Sequence, residues 1–140
     1  SLRVNAERAV RVGIAIVEHQ GRYLVGTRPA DADLPGKLEF PGGKCEVGES
    51  PEHAVTRECL EETGLVVEPI RLLQQREFAY EHATVELHFW LCCLLGDPSE
   101  PENGFRWFAC DELERERFPE ANDEILALIR SKSPFLDDRE

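Results

Sequence analysis

The chain has few long apolar stretches and few cysteines. It has no apolar stretch as long as a signal peptide or a membrane span. Its five cysteines are odd in number and include no Cys-x-x-Cys spacing, which argues against a disulfide framework. We therefore expect a soluble, cytoplasmic protein in a reducing compartment, with no membrane partner.

Methionine is also absent, and the chain begins with Ser1 and Leu2. We expect these two residues to be foreign to the domain, which would then cover residues 3–140. A chain of 140 residues that is 41% hydrophobic and 31% charged has the size and composition of one domain with a substantial core. A second domain is therefore not expected.

Basic residues are few. The chain has 16 lysines and arginines against 28 aspartates and glutamates, which gives a net charge of −12. A long nucleic acid needs a basic surface to bind its phosphates, so we do not expect one as a partner. A free nucleotide held through a metal ion remains compatible with this charge. We expect a monomer or a weak homodimer.

The most informative stretch covers residues 43–65 and reads GKCEVGESPEHAVTRECLEETGL. Ser50 is a favoured N-cap residue, Pro51 suits the first helical position, and Gly64 suits the residue just after a helix. These end signals predict a helix from Pro51 to Thr63.

That helix would carry Glu58, Glu61 and Glu62 on one face, because residues three and four apart are neighbours on a helix. A solvated acidic face is the ordinary explanation of such a pattern, since repulsion costs only a few tenths of a kcal/mol per pair. A functional explanation needs further features near the helix.

Two such features are present. A short apolar strand runs into Gly42 and Gly43, whose bare backbone can bring a carbonyl close to the glutamates. Arg57 could hold Glu49 through two parallel hydrogen bonds and so orient its neighbours. Carboxylate and carbonyl oxygens suit Mg²⁺ or Mn²⁺, and Mg²⁺ in turn implies a phosphate substrate.

The spacing of these residues resembles the Nudix hydrolase box at every defining position: Gly43, five residues, Glu49, seven residues, then Arg57-Glu58-Cys59-Leu60-Glu61-Glu62-Thr63-Gly64-Leu65. Cys59 stands where the pattern has an apolar residue, and a reduced cysteine behaves as a small hydrophobe. Segments outside the box resemble the MutT branch of that family, notably Arg28, residues 37–44, Phe89-Trp90, Trp107 and residues 118–122.

The order of apolar patterns fits this resemblance. It predicts strands over residues 10–17, 23–25, 65–80 (one or two strands, broken near Pro69), 85–95 and 105–108. A last helix would open at Asn122 and turn Ile125, Leu126, Leu128 and Ile129 inward. Strands around a central helix predict a mixed sheet packed between helices. The resemblance implies the Nudix α/β/α sandwich.

The resemblance also implies a chemistry and its residues. The substrate would be a nucleoside triphosphate, split into a monophosphate and pyrophosphate. The metal shell would be the carbonyl of Gly42 with Glu58, Glu61 and Glu62. Two residues compete for the role of general base: Glu58 in the box, and Glu102 in the loop over residues 96–104, where acidic residues are also common without any function.

Recognition of the nucleobase must come from outside the box. Asn122 offers a donor and an acceptor that match a purine edge, although asparagine is equally suited to capping a helix. Phe40, Tyr80, Val10 and Val85 could form apolar walls or simply belong to the core, and Arg28 could meet the nucleotide or be solvated. The turn over residues 80–83 lacks an arginine expected in MutT-like enzymes.

Three functions stay open at this point. The first is hydrolysis of oxidised purine nucleotides of the 8-oxo-dGTP type. The second keeps the chemistry but takes pyrimidine triphosphates such as CTP. The third is a recognition module of the Nudix fold that binds nucleotides or DNA without catalysis, against which the intact Glu58, Glu61 and Glu62 speak.

Overall fold

The structure, a computed structural model, describes residues 8–97 and 99–136, so the expectation about Ser1 and Leu2 lies outside the described residues. Within these ranges lie seven strands and two α-helices: β1 Arg8–His19, β2 Arg22–Thr27, β3 Leu38–Glu39, β4 Gly42–Lys44, α1 Pro51–Thr63, β5 Val67–Tyr80, β6 Ala83–Leu94, β7 Arg106–Ala109 and α2 Asp123–Lys132. Three 3-10 turns, Cys110–Glu112, Arg115–Arg117 and Glu120–Asn122, connect β7 to α2.

The strands form one mixed sheet in the order β3-β2-β1-β6-β5, with β4 paired to β1 and β7 paired to β2. The central strand β1 runs parallel to β6 and antiparallel to β4. Gly43 lies opposite Gly13 and Gly42 lies opposite Ile14. The pairing therefore holds the two glycines of β4 at the middle of the sheet.

Each face of the sheet packs against one helix. On β1, Ile16 belongs to a core cluster with Ile125 and Ile129 of α2. Its neighbours Ala15 and Val17 point the other way and pack in a second cluster with Val55 and Cys59 of α1. Successive side chains of β1 therefore pack on opposite faces of the sheet, one face against α2 and the other against α1. The expected α/β/α sandwich is confirmed.

The bounds predicted for α1 are confirmed, and the expected end signals operate. The Ser50 hydroxyl accepts a hydrogen bond from the His53 backbone N–H at 3.1 Å. Gly64 has φ of 79°, and its N–H donates to the Leu60 carbonyl at 3.0 Å. A Cβ on Gly13 would lie 2.7 Å from the Pro51 carbonyl, so a glycine at this point of β1 lets the helix approach the sheet.

The segment predicted as one or two strands over residues 65–80 is one continuous strand that begins at Val67, although its pairing with β6 shifts register between Pro69 and Arg71 and again between Leu72 and Gln74. Proline cannot donate to the ladder, so an irregularity at Pro69 is expected without a full break. None of the helices formed by residues 8–97 and 99–136 is long and apolar enough to cross a membrane.

Candidate active site

The first glutamate of the acidic face, Glu58, rests directly on the backbone of β4. A Cβ on Gly43 would lie 2.5 Å from Glu58 Cδ and 2.9 Å from its Oε1, closer than real side chains come. Glycine is therefore required at residue 43 so that the Glu58 carboxylate can reach the sheet.

The second glutamate, Glu62, is hydrogen-bonded to the same strand. The Gly42 N–H donates to Glu62 Oε1 at 3.1 Å. Burial raises the pKa of Glu62 from 4.5 to about 8, the Gly42 hydrogen bond opposes this rise, and the nearby Glu58 charge adds to it. Near neutral pH, this carboxyl therefore tends to keep its proton unless a positive charge is supplied.

Arg57 holds the acidic face in place, and its predicted pairing with Glu49 is observed. Arg57 Nε donates to Glu49 Oε2 and Nη2 donates to Glu49 Oε1, both at 2.8 Å. The remaining nitrogen, Nη1, donates to Glu58 Oε2 at 3.1 Å and to Glu61 Oε1 at 3.3 Å. The guanidinium holds the pKa of Glu49 well below its usual range, with help from the Glu46 backbone N–H. One arginine thus fixes two of the proposed metal ligands.

The donor set fits a divalent metal ion. The candidate ligands are the Gly42 carbonyl and three carboxylates, which are all hard oxygen donors. As they stand, no three acidic, histidine or cysteine side chains of residues 8–97 and 99–136 are arranged to hold an ion. The Glu61 side chain is 57% exposed and pairs with Arg57 Nη1 at 3.3 Å.

Glu102 lies at the end of α1 that carries Glu61 and Glu62. Its backbone N–H donates to the Thr63 carbonyl at 2.9 Å, and the Asn103 side-chain amide donates to the Glu62 carbonyl at 2.8 Å. The Glu102 carboxylate packs on Gly64, where an added Cβ would be 2.8 Å from Glu102 Cδ. Among the described contacts, no hydrogen bond or ion pair joins this carboxylate to Glu58.

A cavity of about 180 Å³ adjoins β4. It brings together three residues predicted to bind the substrate, and its lining is Val12, Ile14, Arg28, Glu39, Phe40, Gly42, Gly43, Pro119 and Asn122. Gly42 and Gly43 therefore line this cavity and also contact Glu62 and Glu58.

Asn122 is 9% exposed and precedes α2 without capping it, because its side chain makes no cap hydrogen bond. Within the described chain its amide has no hydrogen-bond partner, so both its donor and its acceptor are available to a ligand in the cavity. Arg28 is engaged instead: Nε donates to the Asp33 carbonyl at 2.6 Å, and Nη1 donates to Glu39 Oε1 at 3.3 Å.

Three residues predicted as walls are not brought into this cavity. Val10 and Val85 face each other on β1 and β6, where Val85 packs against the core. Tyr80 is 60% exposed and lines a different cleft, together with Arg76, Phe78, Glu120, Ala121, Asp123 and Glu124. Val10 and Val85 lie outside the cavity because of strand register, since β4 pairs with β1 at residues 12–14 and not at residue 10.

The sequence analysis missed Val12, Ile14, Glu39 and Pro119 as cavity residues. The signal for the first two was available, because they share a strand face with Val10. Glu39 stands directly before Phe40 on the approach to the glycine pair. Burial raises the pKa of Glu39, and the Arg28 charge opposes this rise.

The raised pKa of Glu62 gives a prediction for the metal-free protein. Because the folded-state pKa is about 8 against an ordinary value of 4.5, this group costs no stability below about pH 4.5 and progressively more as the pH rises toward 8. Glu62→Gln should therefore raise the Tm of the metal-free protein at pH 8 and change it little at pH 5. Melting curves in a chelator at both pH values test this. An equal shift at both would contradict it.

Comparisons with known proteins identify the family of this chain. The Nudix domain family matches residues 12–128. An 8-oxo-dGTP diphosphatase of Escherichia coli (strain K12) is 34% identical over 127 residues, which is 88% of this chain and 98% of that protein. A CTP pyrophosphohydrolase of the same organism is 34% identical over 83 residues, which is 59% of this chain and 62% of that protein.

The solution structure of the E. coli ORF135 protein has the same fold, with a TM-score of 0.75 at 24% identity over 95% of this chain and 99% of that one. Hydrolases of the matched family generally depend on a divalent metal ion. With the family match spanning the carboxylate face, β4 and the cavity, the chain belongs to the Nudix family as a MutT-like hydrolase of phosphorus-containing anhydrides.

Proposed function

We propose that this enzyme hydrolyses oxidised purine nucleoside triphosphates of the 8-oxo-dGTP type to a monophosphate and pyrophosphate, and so cleans the nucleotide pool. The observation that carries the proposal is the position of Asn122, a buried amide with an available donor and acceptor in a cavity that adjoins the carboxylate face. The 34% identity to an 8-oxo-dGTP diphosphatase over most of both chains supports the choice of substrate.

The metal would be Mg²⁺ or Mn²⁺, held by the Gly42 carbonyl with Glu58, Glu61 and Glu62. When bound, such an ion neutralises phosphate charge and favours attack by water on an internal phosphorus. Arg57 orients Glu58 and Glu61 through Nη1, and Glu49 fixes Arg57 in turn. These contacts prepare the carboxylates in advance, which lowers the cost of organising them around an ion.

The nucleobase would enter the 180 Å³ cavity beside Phe40. Phe40 is stacked on Phe118 with ring centroids 5.1 Å apart, so this apolar wall is itself supported. Asn122 would pair with the base through its donor and acceptor. Arg28 would leave its contacts with Asp33 and Glu39 to meet the nucleotide.

Two glutamates remain candidates for the general base, Glu58 and Glu102. We expect Glu102→Gln to lower kcat without weakening Mg²⁺ binding if Glu102 moves the proton, because the amide keeps the shape and loses the basicity. The measurement is the pH–rate profile of the variant beside its Mg²⁺ affinity. An unchanged rate and profile would assign proton transfer to Glu58, which contacts Gly43 and Arg57.

The products test the reaction type directly. Incubation with 8-oxo-dGTP and Mg²⁺ should release the monophosphate and pyrophosphate in equal amounts, because attack falls on an internal phosphorus. Release of orthophosphate with the diphosphate would contradict the proposal, since it would place the attack on the terminal phosphorus.

Hydrolysis of pyrimidine triphosphates is the second candidate. Two observations favour it: the likeness to a CTP pyrophosphohydrolase, and the turn at Tyr80-Glu81-His82-Ala83, which lacks the arginine expected for oxidised guanine nucleotides. A non-catalytic recognition module is disfavoured, because the arginine-held carboxylates are complete.

The surroundings belong to the same proposal. We place the enzyme in the cytoplasm as a monomer or a weak homodimer, acting on free nucleotides and not on long nucleic acid. The net charge of −12 supports the exclusion of long nucleic acid, since a polyanion would be repelled.

A further inference from the structure

The Glu49 carboxylate makes four hydrogen-bond contacts, three of them with Glu46 and Arg57 and the fourth with His53. Oε1 accepts from the Glu46 backbone N–H and from Arg57 Nη2, both at 2.8 Å. Oε2 accepts from Arg57 Nε at 2.8 Å and makes its second contact, at 2.6 Å, with His53 Nδ1. Glu49 is 7% exposed, so these partners replace most of its hydration.

We propose that His53 is a positioning residue for the metal ligands, acting through Glu49 and Arg57. The proposal rests on the metal-dependent hydrolysis proposed above. Residue 53 falls among the seven positions between Glu49 and Arg57 that the box leaves unspecified, so the box itself assigns it no role.

The proton on His53 is assigned by its partner. An ionised carboxylate only accepts hydrogen bonds, and the pKa of Glu49 is well below its usual range, so His53 Nδ1 carries a proton and donates it. The main chain of His53 is held as well, because its backbone N–H donates to the Ser50 hydroxyl. The His53 side chain is 69% exposed, and its contact with Glu49 orients the ring toward the carboxylate.

Arg57 connects Glu49 to the proposed metal ligands Glu58 and Glu61. Arg57 reaches Glu58 and Glu61 with the single nitrogen Nη1, while Nε and Nη2 both donate to Glu49 and Nη2 also donates to the Lys44 carbonyl at 3.1 Å. A guanidinium is planar and rigid, and Glu49 holds it by two of its nitrogens at 2.8 Å, so the orientation of the Glu49 carboxylate bears on the position of Nη1. Without His53, Oε2 keeps one donor and the carboxylate gains freedom to rotate, which loosens Glu58 and Glu61 together.

The expected effect is on metal affinity. Outer partners of metal ligands typically contribute about 10- to 100-fold in affinity, and two residues, Glu49 and Arg57, separate His53 from the ligands, so His53→Ala should raise the Kd for Mn²⁺ about three- to tenfold. Alanine is a good helix former, so the Tm of His53→Ala should fall only by the small amount that loss of the His53–Glu49 hydrogen bond causes.

The test is Mn²⁺ binding to the nucleotide-free protein by electron paramagnetic resonance, together with kcat at saturating Mg²⁺. His53→Ala should weaken Mn²⁺ binding and leave kcat at saturating Mg²⁺ within about twofold of wild type, because the ligands themselves remain. His53→Asn, whose amide nitrogen takes the place of Nδ1, should restore most of the affinity. His82→Ala, at an exposed histidine in the turn before β6, is the matched control and should behave as wild type.

Unchanged Mn²⁺ affinity in His53→Ala would overturn the role of His53 and leave the proposed function standing. Equal losses in His53→Ala and His53→Asn, accompanied by a lower Tm, would also overturn it, since they would point to damage of the helix start. Wild-type protein that binds no Mn²⁺ and hydrolyses no nucleotide would instead overturn the proposed function, and the role of His53 with it.

Discussion

Glu62→Gln should lower kcat at saturating Mg²⁺ by at least about 10²-fold while the protein stays folded. The substitution withdraws one charged ligand, and the amide oxygen can still accept the hydrogen bond that the Gly42 N–H donates to Glu62. The fold is not expected to suffer, because the buried carboxyl is itself costly when ionised without metal. Steady-state hydrolysis at several Mg²⁺ concentrations, with a melting curve, measures both parts.

Glu61→Gln should give a loss of the same order, because Glu61 would supply another ligand to the same ion. Glu52→Gln is the matched control, since it neutralises an exposed glutamate of the same helix that lies in the first turn, away from the metal-facing end. If Glu61→Gln or Glu62→Gln keeps near-wild-type turnover at saturating Mg²⁺, the metal assignment is wrong.

Asn122→Ala should cost about 1 to 3 kcal/mol of discrimination in favour of oxidised dGTP, which is roughly a 5- to 150-fold change in relative kcat/KM. The effect should fall on KM far more than on kcat, because the base lies away from the reacting phosphorus and its binding is largely equal in the ground and transition states. A panel of oxidised dGTP, dGTP and CTP measures it. Metal dependence should not change.

A helix-capping role for Asn122 gives a different result. Loss of a cap costs about 1 kcal/mol of stability and leaves the substrate ranking unaltered. The side chain makes no cap hydrogen bond, so we expect Asn122→Ala to melt close to wild type. Asn122→Asp is the control, because aspartate can cap a helix and lacks the amide donor. A lowered Tm with an unchanged ranking in the alanine variant would show that the assignment is wrong.

The parts of the site that follow from local sequence could be predicted. Ser50, Pro51 and Gly64 act through hydrogen bonds and dihedrals within a few residues, so the bounds of α1 followed from them. The pairing of Glu49 with Arg57 was also accessible, because both stand next to or on the same helix.

The parts of the site that depend on contacts between residues far apart in the sequence could not be predicted from local signals. Val12 and Ile14 line the cavity only because β4 pairs with the middle of β1, a register that no local signal specifies. The contact of Glu102 with Gly64 joins a loop to a helix 38 positions earlier in the chain. Tyr80, predicted as an apolar wall or a core residue, stands at the exposed end of an edge strand.

The most direct test of the central claim is the ratio of kcat/KM for 8-oxo-dGTP to kcat/KM for CTP in Mg²⁺. A cavity in which a buried asparagine reads the purine edge predicts a ratio of at least about 10², because the smaller pyrimidine would leave the amide unpaired. A ratio near or below one would contradict the account and assign the enzyme to pyrimidine triphosphates.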